Sequence, residues 1–507
     1  DLTANTITMS LGDGSTLSGN LTSATDITLR SDNGAQIINT AGSRTFTADS
    51  DTNNTGTFNL ANGHLVTAGS DLTLNAAELT IAATSTVDAG AAAVTIKPTT
   101  AKAIEVGGAS ADAAGLLSVT GAELSRITAG TVTIGDSTKA GGLTLAGNVD
   151  MSTFTGTGYD LTLLNDGNVS VAGTLASNNH DVTATSTSGT VDLAAASSIN
   201  TGTADIQLNA GTGLTQNATN SLTADAITLT TASGGLSLAG ATTGTTSVDL
   251  TATVGNIDET GTLQTATLTS TTNDLGATQT FNDADTTTAN LTSNKGDITY
   301  IDSDGVSITA NTGDVTSATV TIETNAALLS SDNTNNLESG LTLTGNNQSY
   351  LFNLIANTGN ITQTGTLQAE DILGFTLEAN ATQTYNDVDT TGAYLVTNAG
   401  DINFKDADGV LITANSGDAT TATVTIETDA SGLSSDNLNN AESGLTLGSD
   451  ETQGGTVNLT ANAGDITQNA LSKLQGNTLT ANAVTGAINI TNADFANADL
   501  TTVGKDI

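Results

Sequence analysis

The chain has 507 residues with 52 acidic and 10 basic side chains, a formal net charge of −42, and no cysteine. So few basic residues exclude a nucleic-acid partner, because Lys and Arg are needed to neutralise phosphates, and the lack of cysteine excludes disulfides and thiolate metal sites. The length exceeds what one compact core supports, so the sequence predicts an elongated or multidomain body.

Residues 1–96 alternate apolar and polar side chains with a period of two, which is typical of half-buried β-strands. The segment DLTLNAAELTIAA at 71–83 shows the pattern clearly. No stretch approaches 18 consecutive apolar residues, so no transmembrane helix is predicted. The chain begins at Asp1 without an initiator methionine, and we expect it to be a mature or cropped segment of something longer.

A break in composition follows at 97–115. The only proline, Pro98, lies there together with Lys97 and Lys102, two of the ten basic residues. We interpret this segment as a longer loop between coils of strand. The alternating pattern resumes over 116–249, which indicates that the same architecture continues.

The second half of the chain is repetitive. Residues 280–343 realign without a gap on 384–447, and roughly two-thirds of the positions are identical. The offset between the two segments is 104 residues. We therefore divide this half into copy 1 at 250–353, copy 2 at 354–458 and a truncated copy 3 at 459–507.

A period of this length fits either an immunoglobulin-like sandwich or several turns of a β-solenoid. Within each copy a tetrad of Asn, any residue, Gly and Asp or Asn recurs, as at 311–314 and 415–418. Its spacing corresponds to one or two coils of about 20 residues, with turns made by Asn, Gly and Asp. The sequence therefore predicts an all-β parallel β-helix, a β-solenoid, and tandem immunoglobulin-like domains are the alternative fold.

The phrase GAELSRITAGTVTIG at 121–135, together with recurring GDITQTG-like and DADGV-like phrases, resembles the large bacterial exoproteins of the filamentous-haemagglutinin type. The resemblance extends over essentially the whole chain. It implies a right-handed parallel β-helix, export to the cell surface, and a role in adhesion, aggregation or biofilm formation. We therefore expect an extracellular fibre without enzymatic activity, which associates with itself end to end or side by side, and we expect surface glycans or other cells as further candidate partners.

Two other functions are weighed against the fibre. The first is a surface-layer or sheath subunit that assembles with divalent cations, which the acidic surface favours. The second is a carbohydrate-active β-helix enzyme, which we would look for in the non-repetitive part before residue 250. A polysaccharide lyase needs basic residues beside an acidic sugar, yet no Lys or Arg lies between Lys139 and Lys295.

Glycoside hydrolysis needs only two carboxylates at a suitable separation. The candidate pairs are Asp283 with Asp285, Asp302 with Asp304, Asp387 with Asp389, and Asp406 with Asp408. Because the pairs recur from copy to copy while an active site is normally single, we interpret them as solvated turn residues. The two histidines, His64 and His180, lie far apart in sequence and are expected at exposed turns, so no Ser-His-Asp triad is predicted.

Calcium is the one candidate cofactor. The segments IDSDGV at 301–306 and KDADGV at 405–410 place carboxylates two residues apart before a glycine, as calcium loops begin. Neither segment supplies a bidentate Glu at the twelfth position. The four candidate ligands are Asp302, Asp304, Asp406 and Asp408.

Overall fold

The computed structural model describes residues 1–11, 15–17, 19–31, 36–39, 42–108, 115–154, 156, 158–326, 329, 339–435 and 443–503. Strands make up 60% of the chain and helices 2%, and they form parallel stacked coils of about 21 residues, about 22 turns in number. The predicted β-solenoid is thus confirmed. The immunoglobulin-like alternative is wrong, because neighbouring coils pair in parallel rather than as antiparallel sandwich sheets.

The chain divides into two compact units, Asp1–Val254 and Gly255–Ile507. The first strands of the first unit are β1 (Leu2–Ala4), β2 (Ile7–Leu11), β3 (Ser15–Leu17), β4 (Leu21–Ser23), β5 (Ile27–Ser31), β6 (Gln36–Asn39), β7 (Arg44–Thr47), β8 (Thr57–Val66), β9 (Leu72–Asn75), β10 (Glu78–Ile81), β11 (Ser85–Asp88), β12 (Ala93–Lys97) and β13 (Ala103–Val106). Its remaining strands are β14 (Leu116–Val119), β15 (Ile127–Thr128), β16 (Thr131–Asp136), β17 (Leu143–Leu145), β18 (Val149–Asp150), β19 (Asp160–Asn165), β20 (Val169–Val171), β21 (Thr174–Ala176), β22 (Val182–Ser186), β23 (Val191–Leu193), β24 (Ser198–Asn200), β25 (Ile206–Ala210), β26 (Leu214–Gln216), β27 (Ser221–Thr231), β28 (Leu236–Leu238) and β29 (Ala241–Ala252).

The second unit consists of strands that are on average longer. Its first strands are β30 (Ile257–Glu259), β31 (Thr262–Leu275), β32 (Gln279–Asn294), β33 (Ile298–Asp302), β34 (Val306–Asn311), β35 (Thr319–Thr324), β36 (Leu341–Leu343), β37 (Asn346–Gln348), β38 (Leu351–Ala356), β39 (Ile361–Gln363) and β40 (Thr366–Ala379). The others are β41 (Gln383–Asn398), β42 (Ile402–Asp406), β43 (Val410–Asn415), β44 (Thr423–Thr428), β45 (Leu445–Leu447), β46 (Glu451–Gln453), β47 (Thr456–Ala461), β48 (Ile466–Gln468), β49 (Lys473–Ala483), β50 (Ile488–Asn489) and β51 (Ala493–Thr502).

Each unit is built by stacking equivalent strands of successive coils. In the first unit Leu161 of β19 pairs with Val182 of β22, which pairs with Ile206 of β25. In the second unit Phe352 of β38 pairs with Ile372 of β40. Hydrogen-bonded strands lie about 4.8 Å apart, so identical positions form columns of touching side chains along each unit.

The core follows from the alternation in the sequence. In β35, with the sequence TVTIET, Val320 and Ile322 are fully buried while Thr319 and Thr321 remain partly exposed. Because side chains alternate between the two faces of a strand, every second residue enters the narrow interior. The few aromatic side chains stack across coils, with ring centroids 6.0 Å apart for Phe281 and Tyr300.

The Asn-Gly tetrads form turns, as the sequence predicts. Gly313 has a φ of +63° and donates its N–H to Oδ1 of Asn311 at 2.8 Å. The equivalent glycine of copy 2, Gly417, has a φ of +69° and donates to Asn415 at the same distance. A side chain at either glycine would be strained at such a φ, so these turns favour glycine.

The segment predicted as a loop at 97–115 is only partly irregular, and that prediction is wrong for its middle. Strand β13 forms there and pairs with β14 on one side and β17 on the other. Its sequence, AIEV, has the alternating pattern that Pro98 and the lysines obscured. Residues 109–114 of the predicted loop lie outside the described residues, and the copy boundaries at 250, 354 and 459 stay predictions.

The phrase at 121–135 contains the single α-helix, α1 (Gly121–Leu124), among the described residues, and a 3₁₀ turn follows at Met151–Thr153. Thr120 and Glu123 form a reciprocal capping box, in which each side chain bonds the backbone N–H of the other residue. Glu123 Oε1 also accepts the N–H of Ile81 at 3.0 Å, so the turn is joined to β10. In the part of the chain that the structure describes, no helix is long and apolar enough to cross a membrane.

Candidate functional sites

The aspartates of the four candidate pairs fall into two classes. The buried ones are Asp285, Asp302, Asp389 and Asp406, each at most 2% exposed. The partly exposed ones are Asp283, Asp304, Asp387 and Asp408. The interpretation of all eight as solvated turn residues is therefore wrong for the first class. The strand period carries Asp302 of β33 and Asp406 of β42 into the core. Asp285 of β32 and Asp389 of β41 instead lie in runs of three consecutive buried residues, where the alternation is interrupted.

Asp302 closes a turn inside copy 1. Its Oδ2 accepts the hydroxyl of Tyr300 at 2.6 Å and the N–H of Thr286 at 3.2 Å, and its Oδ1 accepts the N–H of Asp304 at 3.1 Å. Burial raises the pKa of Asp302 well above its ordinary value, and the neighbouring charge of Asp304 adds to the effect. The carboxyl group thus serves as an internal hydrogen-bond acceptor for three donors.

Asp406 makes the equivalent turn in copy 2. Its Oδ2 accepts the N–H of Thr390 and its Oδ1 the N–H of Asp408, both at 3.2 Å. Phe404 occupies the position of Tyr300, so the hydroxyl donor of copy 1 is missing here. Burial again raises the pKa of Asp406 well above its ordinary value. Because the turn survives the loss of the tyrosine hydroxyl, the two backbone N–H donors are its common feature.

The calcium hypothesis gains no metal-binding geometry from these turns. Asp302 and Asp406 are buried and accept backbone N–H groups, which are donors that a cation would have to displace. Within the described ranges no three His, Cys, Asp or Glu side chains are grouped so that they could hold a metal ion. Calcium at Asp302, Asp304, Asp406 and Asp408 therefore stays a prediction, which a calcium titration of thermal unfolding tests.

The sequence reasoning missed a carboxamide or carboxyl group at one corner of the coil, which is buried in copies 1 and 2 and partly exposed in copy 3. Gln363 of β39 accepts the N–H groups of Asn386 and Asp387 with Oε1 and donates Nε2 to the carbonyl oxygen of Asp387 at 2.9 Å. Gln468 in copy 3 likewise accepts the N–H of Asn492 and donates to its carbonyl oxygen at 2.7 Å. The recurring ITQ triplet was the available sequence signal.

Copy 1 has Glu259 at this corner instead. Its Oε2 accepts the N–H groups of Asn282 at 2.9 Å and Asp283 at 3.0 Å, as the glutamine oxygen does in copy 2. Its Oε1 is buried without a hydrogen-bond partner. Burial is the main cause that raises the pKa of Glu259 to about 7, and the charge of Asp283 adds to it, while the backbone N–H groups of Asp283, Asn282 and Gly261 act in the opposite direction.

The two histidines occupy different local environments. His64 lies within β8, half-buried, with Nδ1 2.7 Å from Oγ1 of Thr86. The expectation of an exposed turn is therefore wrong for His64, because it occupies a strand position paired across coils. His180 lies between β21 and β22, where its Nδ1 is 3.6 Å from Oδ1 of Asp160.

One cleft of about 280 Å³ lies in the non-repetitive first unit. The residues that give it chemical character are Asp49, Asn75, Lys97, Pro98, Asp136 and Lys139. Lys97 Nζ is 3.6 Å from Oδ2 of Asp136. Burial alone would raise the pKa of Asp136, but hydrogen bonds from Thr138 and the charges of Lys97 and Lys139 outweigh it and hold the pKa below its ordinary value. The cleft therefore combines fixed negative and positive groups in a small space.

Comparison with known proteins found no matching family model, no similar curated protein and no similar solved structure. The fold is compatible with a β-helix repeat protein. The likeness to filamentous-haemagglutinin-type exoproteins rests on the sequence phrases alone.

Proposed function

We propose that this chain is an exported structural protein without enzymatic activity, whose solenoid coils mediate surface adhesion, aggregation or the formation of matrix filaments. The observation that carries the proposal is the recurrence of the same buried polar turns in successive copies, as at Asp302 and Asp406. A catalytic site needs one set of reacting groups, whereas a repeated turn serves uniform stacking. The repetitive unit is therefore organised for regularity along the stack.

The outward faces fit such a role. Most outward positions carry Thr, Asn or Asp, as Thr423 and Thr425 of β44 do, and these side chains keep the surface hydrated. Backbone ladders between parallel strands resist extension, while repeated weak contacts on the surface add up through avidity. The polar faces and the excess of 52 acidic over 10 basic side chains keep neighbouring chains apart until cations screen them.

The location is tested by labelling intact producing cells with antibody against the purified chain, before and after external protease treatment. We expect labelling of intact cells that protease abolishes, since an exported fibre is accessible. Labelling that requires permeabilised cells would overturn the proposal. Electron microscopy of the purified protein with calcium and after chelation complements this, because ordered arrays that dissolve on chelation would favour the surface-layer alternative.

A second candidate function is favoured by the cleft of the first unit. Carbohydrate-binding and carbohydrate-cleaving sites need a cavity with unrepeated polar groups, and the cleft around Lys97, Asp136 and Lys139 is of that kind. Asp136, with its lowered pKa, suits a fixed anion or a nucleophile rather than a proton donor. We would therefore expect binding of a neutral saccharide here before cleavage.

This second function is tested by incubating the chain with a panel of polysaccharides and measuring reducing ends. Release by the wild-type chain that is lost in Asp136→Asn would make the protein an enzyme and replace the fibre proposal. The control is Asp192→Asn, which changes a carboxylate on β23 outside the cleft.

A further inference from the structure

The outward face of copy 2 differs chemically from the same face of copy 1. Five side chains on β40, β41 and β43 are aliphatic or aromatic, whereas the five equivalent positions of copy 1, on β31, β32 and β34, carry hydroxyl or amide side chains. Leu373, Phe375, Tyr394, Val396 and Leu411 occupy the positions of Thr269, Thr271, Asn290, Thr292 and Ser307. We call these five residues of copy 2 the apolar face.

The five positions form one continuous surface, because the three strands are neighbours in the ladder. Leu373 pairs with Tyr394, and Gly392 pairs with Leu411. The rings of Phe375 and Tyr394 lie 6.2 Å apart at 49°. Leu411 is 48% exposed. Apolar side chains gathered on an outward face indicate an interaction surface.

A cavity of about 180 Å³ opens in this surface, lined by Asp371, Leu373, Tyr394 and Leu411 among others. Gly392 also lines the cavity and makes room for the Asp371 carboxylate, because a Cβ at this position would lie 2.3 Å from Oδ1 of Asp371. Copy 1 has threonines at both of these positions, 267 and 288. The glycine and the carboxylate thus differ from copy 1 together with the apolar side chains.

The charges around the apolar face select the occupant. Glu370 and Asp371 are exposed at its edge, and no lysine or arginine lines the cavity. Two lysines of this unit are paired elsewhere, Lys405 with Glu427 and Lys473 with Glu451, each at 3.1 Å. The two carboxylates attract a cationic group, and a second copy of the chain offers few such groups, because it has only 10 Lys and Arg among 507 residues.

We propose that the apolar face is a docking surface for a partner polypeptide in which arginine or lysine alternates with aliphatic or aromatic side chains. The cation enters the cavity between the Asp371 carboxylate and the face of the Tyr394 ring, where hydrogen bonding and cation–π attraction act together. Its aliphatic neighbours cover Leu373 and Leu411. The proposal goes beyond the fibre function and holds wherever the chain is located.

The test uses fluorescent synthetic peptides and the whole chain at physiological ionic strength. The probe alternates leucine with arginine, and two control peptides alternate leucine with glutamate and serine with arginine. The variant replaces four residues by those of copy 1: Leu373→Thr, Phe375→Thr, Tyr394→Asn and Leu411→Ser. We expect it to bind the leucine-arginine probe at least about tenfold more weakly than the wild-type chain, as loss of aromatic anchors does in other interfaces.

The reciprocal variant transfers the surface to copy 1. It carries Thr267→Asp, Thr269→Leu, Thr271→Phe, Thr288→Gly, Asn290→Tyr and Ser307→Leu, and it is expected to bind two probe peptides per chain. The single change Asp371→Thr is expected to weaken binding of the leucine-arginine probe and to leave binding of the other peptides unchanged. This variant keeps the test decisive if the fourfold variant unfolds.

Three outcomes would overturn the proposal. Equal binding by the wild-type chain and the fourfold variant would show that the surface is not involved, and equal binding of the serine-arginine peptide would show that charge alone is responsible. Dimerisation of the wild-type chain in sedimentation velocity, lost in the fourfold variant, would make a second copy the occupant. The labelling of intact cells is independent of all three, so failure here and failure of the fibre function are distinguishable.

Discussion

The carboxyl group of Glu259 differs from its counterparts Gln363 and Gln468 only in that an oxygen replaces the amide nitrogen. In the two glutamines this nitrogen donates to a carbonyl oxygen. An ionised glutamate cannot donate, so only the protonated form of Glu259 can imitate the amide. The raised pKa and the unpartnered Oε1 are two consequences of this single substitution.

We predict that Glu259→Gln stabilises the protein above neutral pH. The pKa of Glu259 is about 7 in the folded chain, against an ordinary value of 4.5, so the folded state holds the proton more tightly. The protonated Glu259 carboxyl group therefore stabilises the folded state fully below pH 4.5. This stabilisation is lost as the pH rises through 7, a loss on the order of 3 kcal/mol. The variant removes this loss.

Urea denaturation followed by circular dichroism at several pH values measures the effect. The variant and the wild-type chain should be similar at low pH and diverge above neutrality, with the variant more stable. Glu370→Gln is the matched control, since Glu370 is exposed. If the urea midpoints of the variant and the wild-type chain differed by the same amount at every pH, the pKa of Glu259 would not be raised in the folded chain, and the prediction would be wrong.

The hydroxyl of Tyr300 provides a second test at the scale of one atom. Tyr300→Phe should destabilise copy 1 by about 1–2 kcal/mol, because a buried acceptor on Asp302 loses a 2.6 Å hydrogen bond. Copy 2 tolerates phenylalanine at the equivalent position 404, so the ring itself fits. The measurement compares the thermal unfolding midpoints of Tyr300→Phe, Phe404→Tyr and the wild-type chain. An unchanged midpoint in Tyr300→Phe would contradict the predicted loss of stability.

At the scale of the strand, stability lies in the columns that equivalent positions form. Phe352 is fully buried in β38 and pairs with Val320 of β35 and Ile372 of β40. Because each coil contacts chiefly its neighbours, removing one side chain weakens two adjacent contacts in the stack. Damage should therefore be local rather than spread evenly through the unit.

Phe352→Ala tests this locality. We expect a loss of about 3–5 kcal/mol from the cavity left behind, and faster hydrogen exchange in β35, β38 and β40 than in coils farther along the same unit. Asn353→Ala is the control on the same strand, since Asn353 points outward and should change exchange little. Uniformly faster exchange throughout the unit would mean that the coils unfold as one cooperative body.

The strands could be predicted from the sequence because their signal is local. The alternation in 71–83 predicts both β9 and β10, and the tetrad at 311–314 predicts a turn. Strand β13 was not predicted, because Pro98 and the lysines dominate the composition of the segment around it. Local alternation identifies a strand, and composition averaged over a longer window can hide it.

The buried polar groups could not be predicted in the same way. Asp302 resembles any turn aspartate in sequence, and its burial depends on donors such as Thr286 that lie a coil away. The apolar face likewise becomes visible only when the register places Leu373, Tyr394 and Leu411 on neighbouring strands. Contacts between coils carry this information, and single strands do not.

At the scale of the whole molecule, charge governs association. The net charge of −42 arises from too few basic residues rather than from dense charge, since only 12% of residues are charged. Exposed charges farther apart than a Debye length, about 8 Å at physiological salt, hardly interact. Repulsion between chains is therefore strong only at low ionic strength, and screening should suffice to remove it.

We predict that the purified chain stays dispersed at neutral pH and low salt and associates reversibly as the pH approaches 4.1, its isoelectric point. Protonation of carboxylates lowers the net charge toward zero, and the remaining polar and apolar contacts then dominate. Light scattering during a pH titration measures the onset of association.

A comparison of calcium, magnesium and sodium at equal ionic strength separates screening from binding. Equal association with all three salts indicates screening alone, whereas association with calcium at far lower ionic strength than with magnesium would show specific sites. Asp304→Asn with Asp408→Asn then decides whether those sites are the turns of the two copies.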